Sequence, residues 1–184
     1  MMHFSGVQRI LVLALAIGLA VTGPGNGKGK KKLTIKEIEI FHENPDYSEV
    51  IDCDVKYLNN DDTAVWSLKW NVKKDLPDTC LGSLESYRKE SNGWGVFIYR
   101  VTSTPINKFL ESEAEYQEIC ATGNFPPKFP FIAGEYSINN YNFKQPSNLD
   151  MECNDYKFEV NLTALEGLTK VPVLGIRMFV NVHL

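Results

Sequence analysis

A chain of 184 residues, 43% hydrophobic and 23% charged, is long enough for one globular domain with a real core and too short for several. Its formal net charge is −4, but all the charge of the first 32 residues is basic, and the rest of the chain carries −9. So acidic a body argues against nucleic acid as a partner.

The chain opens with a segment built for export. Residues 1–9 carry one positive charge, residues 10–21 (ILVLALAIGLAV) are an unbroken apolar run, and Thr22-Gly23 supplies small residues. This is the layout of a secretory signal peptide over residues 1–23; a dozen apolar residues are too few to span a bilayer. No later run is long or apolar enough for a transmembrane segment, so a secreted, extracellular protein is expected. Residues 24–32 (PGNGKGKKK) hold four lysines and no apolar side chain, which predicts a flexible basic linker. The folded domain is then 33–184.

Within that domain the dominant hydrophobic period is two. Residues 33–41 are apolar and β-branched but change phase near Glu37, which predicts a strand with a bulge. Ile51, Cys53, Val55 and Tyr57 alternate with polar residues, as do Trp66, Leu68, Trp70 and Val72. Residues 94–101 (WGVFIYRV) are apolar on both sides except Arg100 and predict a strand buried on two faces. After the Gly134-Glu135 turn, residues 136–143 read as another strand. Tyr156, Phe158, Val160 and Leu162 alternate again, and so do Leu174, Ile176, Met178, Val180 and Val182. Alternation of this kind marks antiparallel strands with one apolar and one wet face. Turn-forming clusters at 59–62, 91–93 and 166–172 separate the runs. One stretch departs from the pattern: Thr104-Pro105 suits a helix start, and Ile106, Phe109, Leu110 and Ile119 recur at helical spacing with glutamates between them. The prediction is a mostly-β domain of seven or eight antiparallel strands with one short helix.

Cys53, Cys80, Cys120 and Cys153 all fall in the exported part, where an even number predicts two disulfides; three pairings are open. None of the four stands in a Cys-x-x-Cys or close to a histidine, so no metal site is expected. Asn161-Leu162-Thr163 is the one N-glycosylation sequon, with Asn161 on the outward register of its strand. Catalytic equipment is sparse. His42 and His183 lie outside any nucleophile or metal motif, there is no phosphate-binding glycine loop, and the paired acids Asp52/Asp54 and Asp61/Asp62 sit on a wet strand face and in a turn. Neither enzymatic activity nor a cofactor is expected. What the sequence offers instead is apolar bulk: Trp66, Leu68, Trp70, Phe97, Phe109, Leu110, Phe129, Phe131, Tyr136, Phe158 and Met178 are candidates to line a cavity for an apolar ligand.

The stretch Phe-Pro-Phe-Ile-Ala-Gly-Glu-Tyr-Ser-Ile, residues 129–138, resembles the motif of the ganglioside GM2 activator and its relatives in the MD-2-related lipid-recognition group, where Cys-Pro-Phe precedes a Gly-x-Tyr strand. The order that follows is also similar: a loop at 145–155, the strand YKFEVNLTAL and the terminal strand LGIRMFVNVHL. Upstream, SYRKESNGWGVFIYRVTSTPINKFL (86–110) resembles insect secreted chemosensory proteins of the CheB type. The resemblance implies a single β-cup, a curved antiparallel sheet around an apolar cavity, with Leu149 and Met151 at its mouth. Phe129 stands where relatives have a cysteine, and the cysteines are fewer, which favours the insect branch. The function implied is a secreted binding protein for a small hydrophobic ligand, a lipid or hydrocarbon pheromone, acting in chemosensation. The alternative is an extracellular adaptor that contacts a membrane receptor through an exposed face.

Overall fold

The computed structural model of the chain describes residues 31–57, 64–107, 114–143 and 151–184, with side chains at all of these except 96–99 and 114–115. Residues 1–30, which hold the expected signal segment and most of the expected basic linker, lie outside the described residues. Eight strands and one short helix are described: β1 (Lys32–Glu43), β2 (Ser48–Tyr57), β3 (Ala64–Val72), β4 (Leu81–Glu90), β5 (Gly93–Pro105), α1 (Ala114–Ala121), β6 (Gly134–Asn142), β7 (Asn154–Glu166) and β8 (Thr169–His183). The expectation of a mostly-β, antiparallel domain with one short helix holds.

The strands form two sheets that share one apolar core and do not close into a barrel. One has five strands in the order β1-β8-β7-β4-β5, the other three in the order β2-β3-β6. Period two sets the inward faces. Along β7, Tyr156, Phe158, Val160, Leu162 and Ala164 are buried, and along β8 so are Leu174, Ile176, Met178, Val180 and Val182. β3 turns Trp66, Leu68 and Trp70 onto this core from the other side. The phase change read near Glu37 is a register shift between Ile35 and Glu37 against β8, and a second shift follows between Ile40 and His42.

Two expectations change. The run 94–101 is not a strand buried on two faces: β5 is an edge strand, and Trp94 is 37% exposed on the outer face, its ring 5.9 Å from that of Phe179. The apolar residues of that outer side cover one another, with the Lys157 ammonium 4.2 Å above the Tyr87 ring and 5.8 Å above Trp94. The two expected disulfides are not formed either. All four cysteines are free: Cys53 is on β2, Cys80 is buried ahead of β4, Cys120 ends α1 with its sulfur 3.6 Å from the Pro126 carbonyl oxygen, and Cys153 is exposed ahead of β7. Each lies on a different element with its own neighbours, whereas a bridge needs two sulfurs at about 2 Å. Burial pushes the Cys80 thiol up to about 11, with Asp78 adding to the effect.

The expected helical stretch is described only in part. Thr104 and Pro105 are still paired in β5, opposite Gly82 and Leu81, and residues 108–113, with Phe109 and Leu110, lie outside the described residues. In α1, Tyr116 and Ile119 face the core and Gln117 and Glu118 face solvent.

Candidate functional site

Between the sheets, beneath α1 and the irregular 125–131 segment, lies a cavity of about 60 Å³. β3 contributes Leu68 and Trp70 to its wall, β7 contributes Val160 and Leu162, and β8 contributes Leu174 and Ile176. Ile106, Tyr116, Phe125, Phe129 and Phe131 complete the described apolar lining. Asn161 also borders it, but sits between Val160 and Leu162 in the outward register of β7, half-buried and paired with Gly175.

The 125–131 segment forms this wall because its backbone is held from both ends. Leu76 N–H donates to the Phe131 carbonyl (2.7 Å) and Phe131 N–H returns a bond to Leu76 (2.9 Å), an isolated bridge outside the named strands. At the other end Asn124 Oδ1 accepts from Ser137 N (2.5 Å), Asn124 Nδ2 donates to Glu135 O (2.8 Å), and Asn124 N donates to Ser137 O (3.2 Å). Its side chain thus continues the ladder that β6 would offer another strand. From above, Tyr116 Oη donates to Pro126 O (2.7 Å) and Gln117 Nε2 to Pro127 O (3.3 Å). The peptide bond between Phe129 and Pro130 is cis.

So held, the segment presents its rings in one cluster. Phe129 stacks on Phe131 with centroids 4.2 Å apart, Phe131 meets Trp70 edge-on at 6.0 Å, and Phe125 stacks on Trp70 at 6.2 Å. Tyr136 closes the group against Phe125 (5.6 Å) and Phe131 (5.5 Å). Aromatic pairs of this geometry add about 0.5–1.5 kcal/mol each beyond their buried area. Burial also raises the Tyr136 phenol above its ordinary value, helped by the nearby Asp75 carboxylate.

The sequence candidates divide accordingly. Leu68, Trp70, Phe129 and Phe131 meet at the cavity, and Tyr136 supports it from the ring cluster. Trp66, Phe158 and Met178 are buried but belong to the core beyond the wall; Trp66 stacks on Phe143 at 6.2 Å. Met151 is buried ahead of β7, where its carbonyl accepts from Lys31 Nζ (2.6 Å). Val160 and Leu162 stand about 20–30 Å along the strand from there, at ~3.3 Å per residue, so Met151 is not at a cavity mouth. Phe109, Leu110 and Leu149 lie outside the described residues, as does the side chain of Phe97. Val160, Leu162, Leu174 and Ile176 were legible as inward-facing strand residues, Ile106 as part of the helical stretch, and Phe125 as part of the Phe-Pro-rich stretch; nothing in the sequence singled out Tyr116.

A second hollow, wider and shallower, runs between β1 and β2, where Ile38, Ile40 and Val50 share the wall with His42, Glu43 and Asp52. Cys53 also borders it, and burial raises its thiol, an effect that the neighbouring Trp66 indole N–H opposes. Among the described residues no group of three or more His, Cys, Asp or Glu is placed to hold a metal ion, and no helix is long and apolar enough to cross a membrane. No protein-family model matches the chain, and comparison with curated proteins finds no significant match.

Proposed function

We propose that the chain is a secreted binding protein for a small hydrophobic ligand, with a role in chemosensation as its resemblance to insect chemosensory proteins implies. The observation that carries the binding is the apolar cavity between the sheets. An apolar void stays dry and takes up apolar molecules, because no polar wall group repays a water for entering. At roughly 10–15 Å³ per water-sized group by this measure, about four to six such groups fit, the size of a six-carbon chain or a single ring. Longer chains need the rings of the 125–131 segment to move aside.

The test is a series of straight-chain hydrocarbons. Each buried methylene contributes about 0.8 kcal/mol, or about fourfold in affinity, so binding should tighten with each carbon and level off near six. Thermal stabilisation by each ligand reads this directly, since a molecule that binds only the folded state raises the melting temperature. Val160→Phe, which places a ring in the cavity, should lower affinity for every member at least tenfold while the protein stays folded. If no hydrocarbon raises the melting temperature of the natural protein, the reading fails.

A further inference from the structure

The one sequon of the chain, Asn161-Leu162-Thr163, lies on β7, the central strand of the five-stranded sheet. Leu162 is buried in the core, so Asn161 and Thr163 on either side of it share the outer face with Glu159. The cross-strand neighbours of Asn161 are small: Gly175 on β8 and Ser83 on β4. Among the described residues the Asn161 carboxamide makes no hydrogen bond, and it is not one of the buried polar atoms left without a partner, which are Thr34 Oγ1, Ser48 Oγ, Trp66 Nε1 and Trp70 Nε1. It therefore reaches solvent, whereas the carboxamides of Asn44, Asn124 and Asn181 are each engaged by a hydrogen bond. Over Gly175 stands Phe41: a Cβ built on that glycine would meet the tip of the ring at 2.7 Å, and the side chain is 37% exposed. Paired residues on neighbouring strands lie only about 5 Å apart, so the Phe41 ring flanks the Asn161 amide.

We propose that Asn161 carries an N-linked oligosaccharide whose first sugar lies over Gly175 and Ser83 with its C–H groups against the Phe41 ring. In the transfer, the Asn161 amide nitrogen bonds the anomeric carbon of a lipid-pyrophosphate-linked oligosaccharide. The anomeric C–O bond breaks, its electron pair leaves with the lipid pyrophosphate, and the amide loses one proton. Transfer needs only an exported chain; the fold has to leave the product room, and a glycine and a serine beside the acceptor do so. The proposal rests on the export expected from residues 1–23 and is independent of the cavity. Its consequence is that sugar covers the middle of this outer face, so a protein partner would have to bind elsewhere on the molecule.

The experiment produces the natural full chain in a eukaryotic secretory cell line and reads its mass and peptide map before and after digestion with a peptide:N-glycosidase, which releases the oligosaccharide and leaves aspartate at position 161. The expected result is one glycan, on Asn161. Thr163→Ala should abolish it, and Thr163→Ser, which keeps the sequon, should retain it. The packing is read from denaturant unfolding of a four-protein cycle. Phe41→Ala should lower the folding equilibrium constant about fivefold more in the glycosylated protein than in Thr163→Ala, the effect of covering about 40 Å² of apolar surface. If the secreted chain carries an unmodified Asn161, the proposal is overturned while export stands. If Asn161 is glycosylated but Phe41→Ala costs the same in both backgrounds, the contact with Phe41 is overturned. If the chain never enters the secretory pathway, the expected export fails and takes this proposal with it.

Discussion

Gly123 sets how closely the end of α1 approaches β6. A Cβ built on it would lie 1.8 Å from the Ser137 carbonyl oxygen, a backbone atom already engaged by Asn124 N–H. No side-chain rotation relieves that contact, so Gly123→Ala must push the turn off β6 and with it the anchor of the aromatic wall. The expected cost is about 2–3 kcal/mol, the upper range for overpacking, measured by urea unfolding. Gly175→Ala makes a useful contrast. Its Cβ would meet the tip of the Phe41 ring at 2.7 Å, but Phe41 is an exposed side chain that can swing away, so its cost should stay under about 1 kcal/mol.

At one end of the sandwich the β1–β2 turn is tied by polar contacts to the end of β7 and the start of β8. Asn44 N donates to Val173 O (2.9 Å), Asn44 Nδ2 to Pro172 O (3.1 Å), and the Tyr47 hydroxyl to Glu166 Oε1. The hydrogen bond to Glu166, helped by burial and the carboxylate's charge, pushes the Tyr47 phenol up to about 12. A phenol whose folded value is raised stabilises the fold fully below its unfolded value of about 10 and loses that contribution as pH rises from there through about 12. Tyr47→Phe should therefore be less stable than the natural protein at pH 8, and the gap should close by pH 12; urea unfolding across that range checks it. The same elements show what the sequence could and could not tell. Alternation in 66–72, 156–162 and 174–182 named the inward residues correctly, and the phase slip at Glu37 located a bulge. Period two says which face is apolar but not which sheet it will meet, so the encounter of Leu68 and Trp70 with Val160 and Ile176 was invisible until the strand order was known. For the same reason the apolar run at 94–101 read as doubly buried: nothing local reveals that Trp94 shelters under Lys157 at a sheet edge.

Across the whole five-stranded sheet, one row of charges crosses the outer face. Glu39 on β1 faces Arg177 on β8, which faces Glu159 on β7, then Glu85 on β4 and Arg100 on β5. Arg177 Nε lies 2.7 Å from Glu159 Oε1 and Nη1 bonds Glu39, Lys157 Nζ reaches Glu159 at 3.0 Å, and Arg100 Nε meets Glu85 at 2.9 Å. Pairs on a wet face contribute little individually. Their position matters more, because a one-residue slip of any of these strands would turn its charge into the core. Burial alone would raise the Glu159 carboxyl, but Lys157 and Arg177 outweigh it and hold it below its ordinary value. A depressed carboxyl contributes stability above its unfolded value, about 4.3, and that contribution is lost as pH falls through the lower folded value. Glu159→Gln should thus destabilise the protein at pH 7, and the gap should narrow as the pH falls below about 4, as read from denaturant midpoints.

The bridge between Leu76 and Phe131 has a kinetic counterpart. Both amides lie in segments without regular secondary structure, where exchange with solvent deuterium is ordinarily fast. Yet both residues are buried and each closes the other's hydrogen bond. Their protons can exchange only when this part of the molecule opens, so they should persist as long as those of β7 and β8. The aromatic wall is then expected to open and close with the sheets as one cooperative unit.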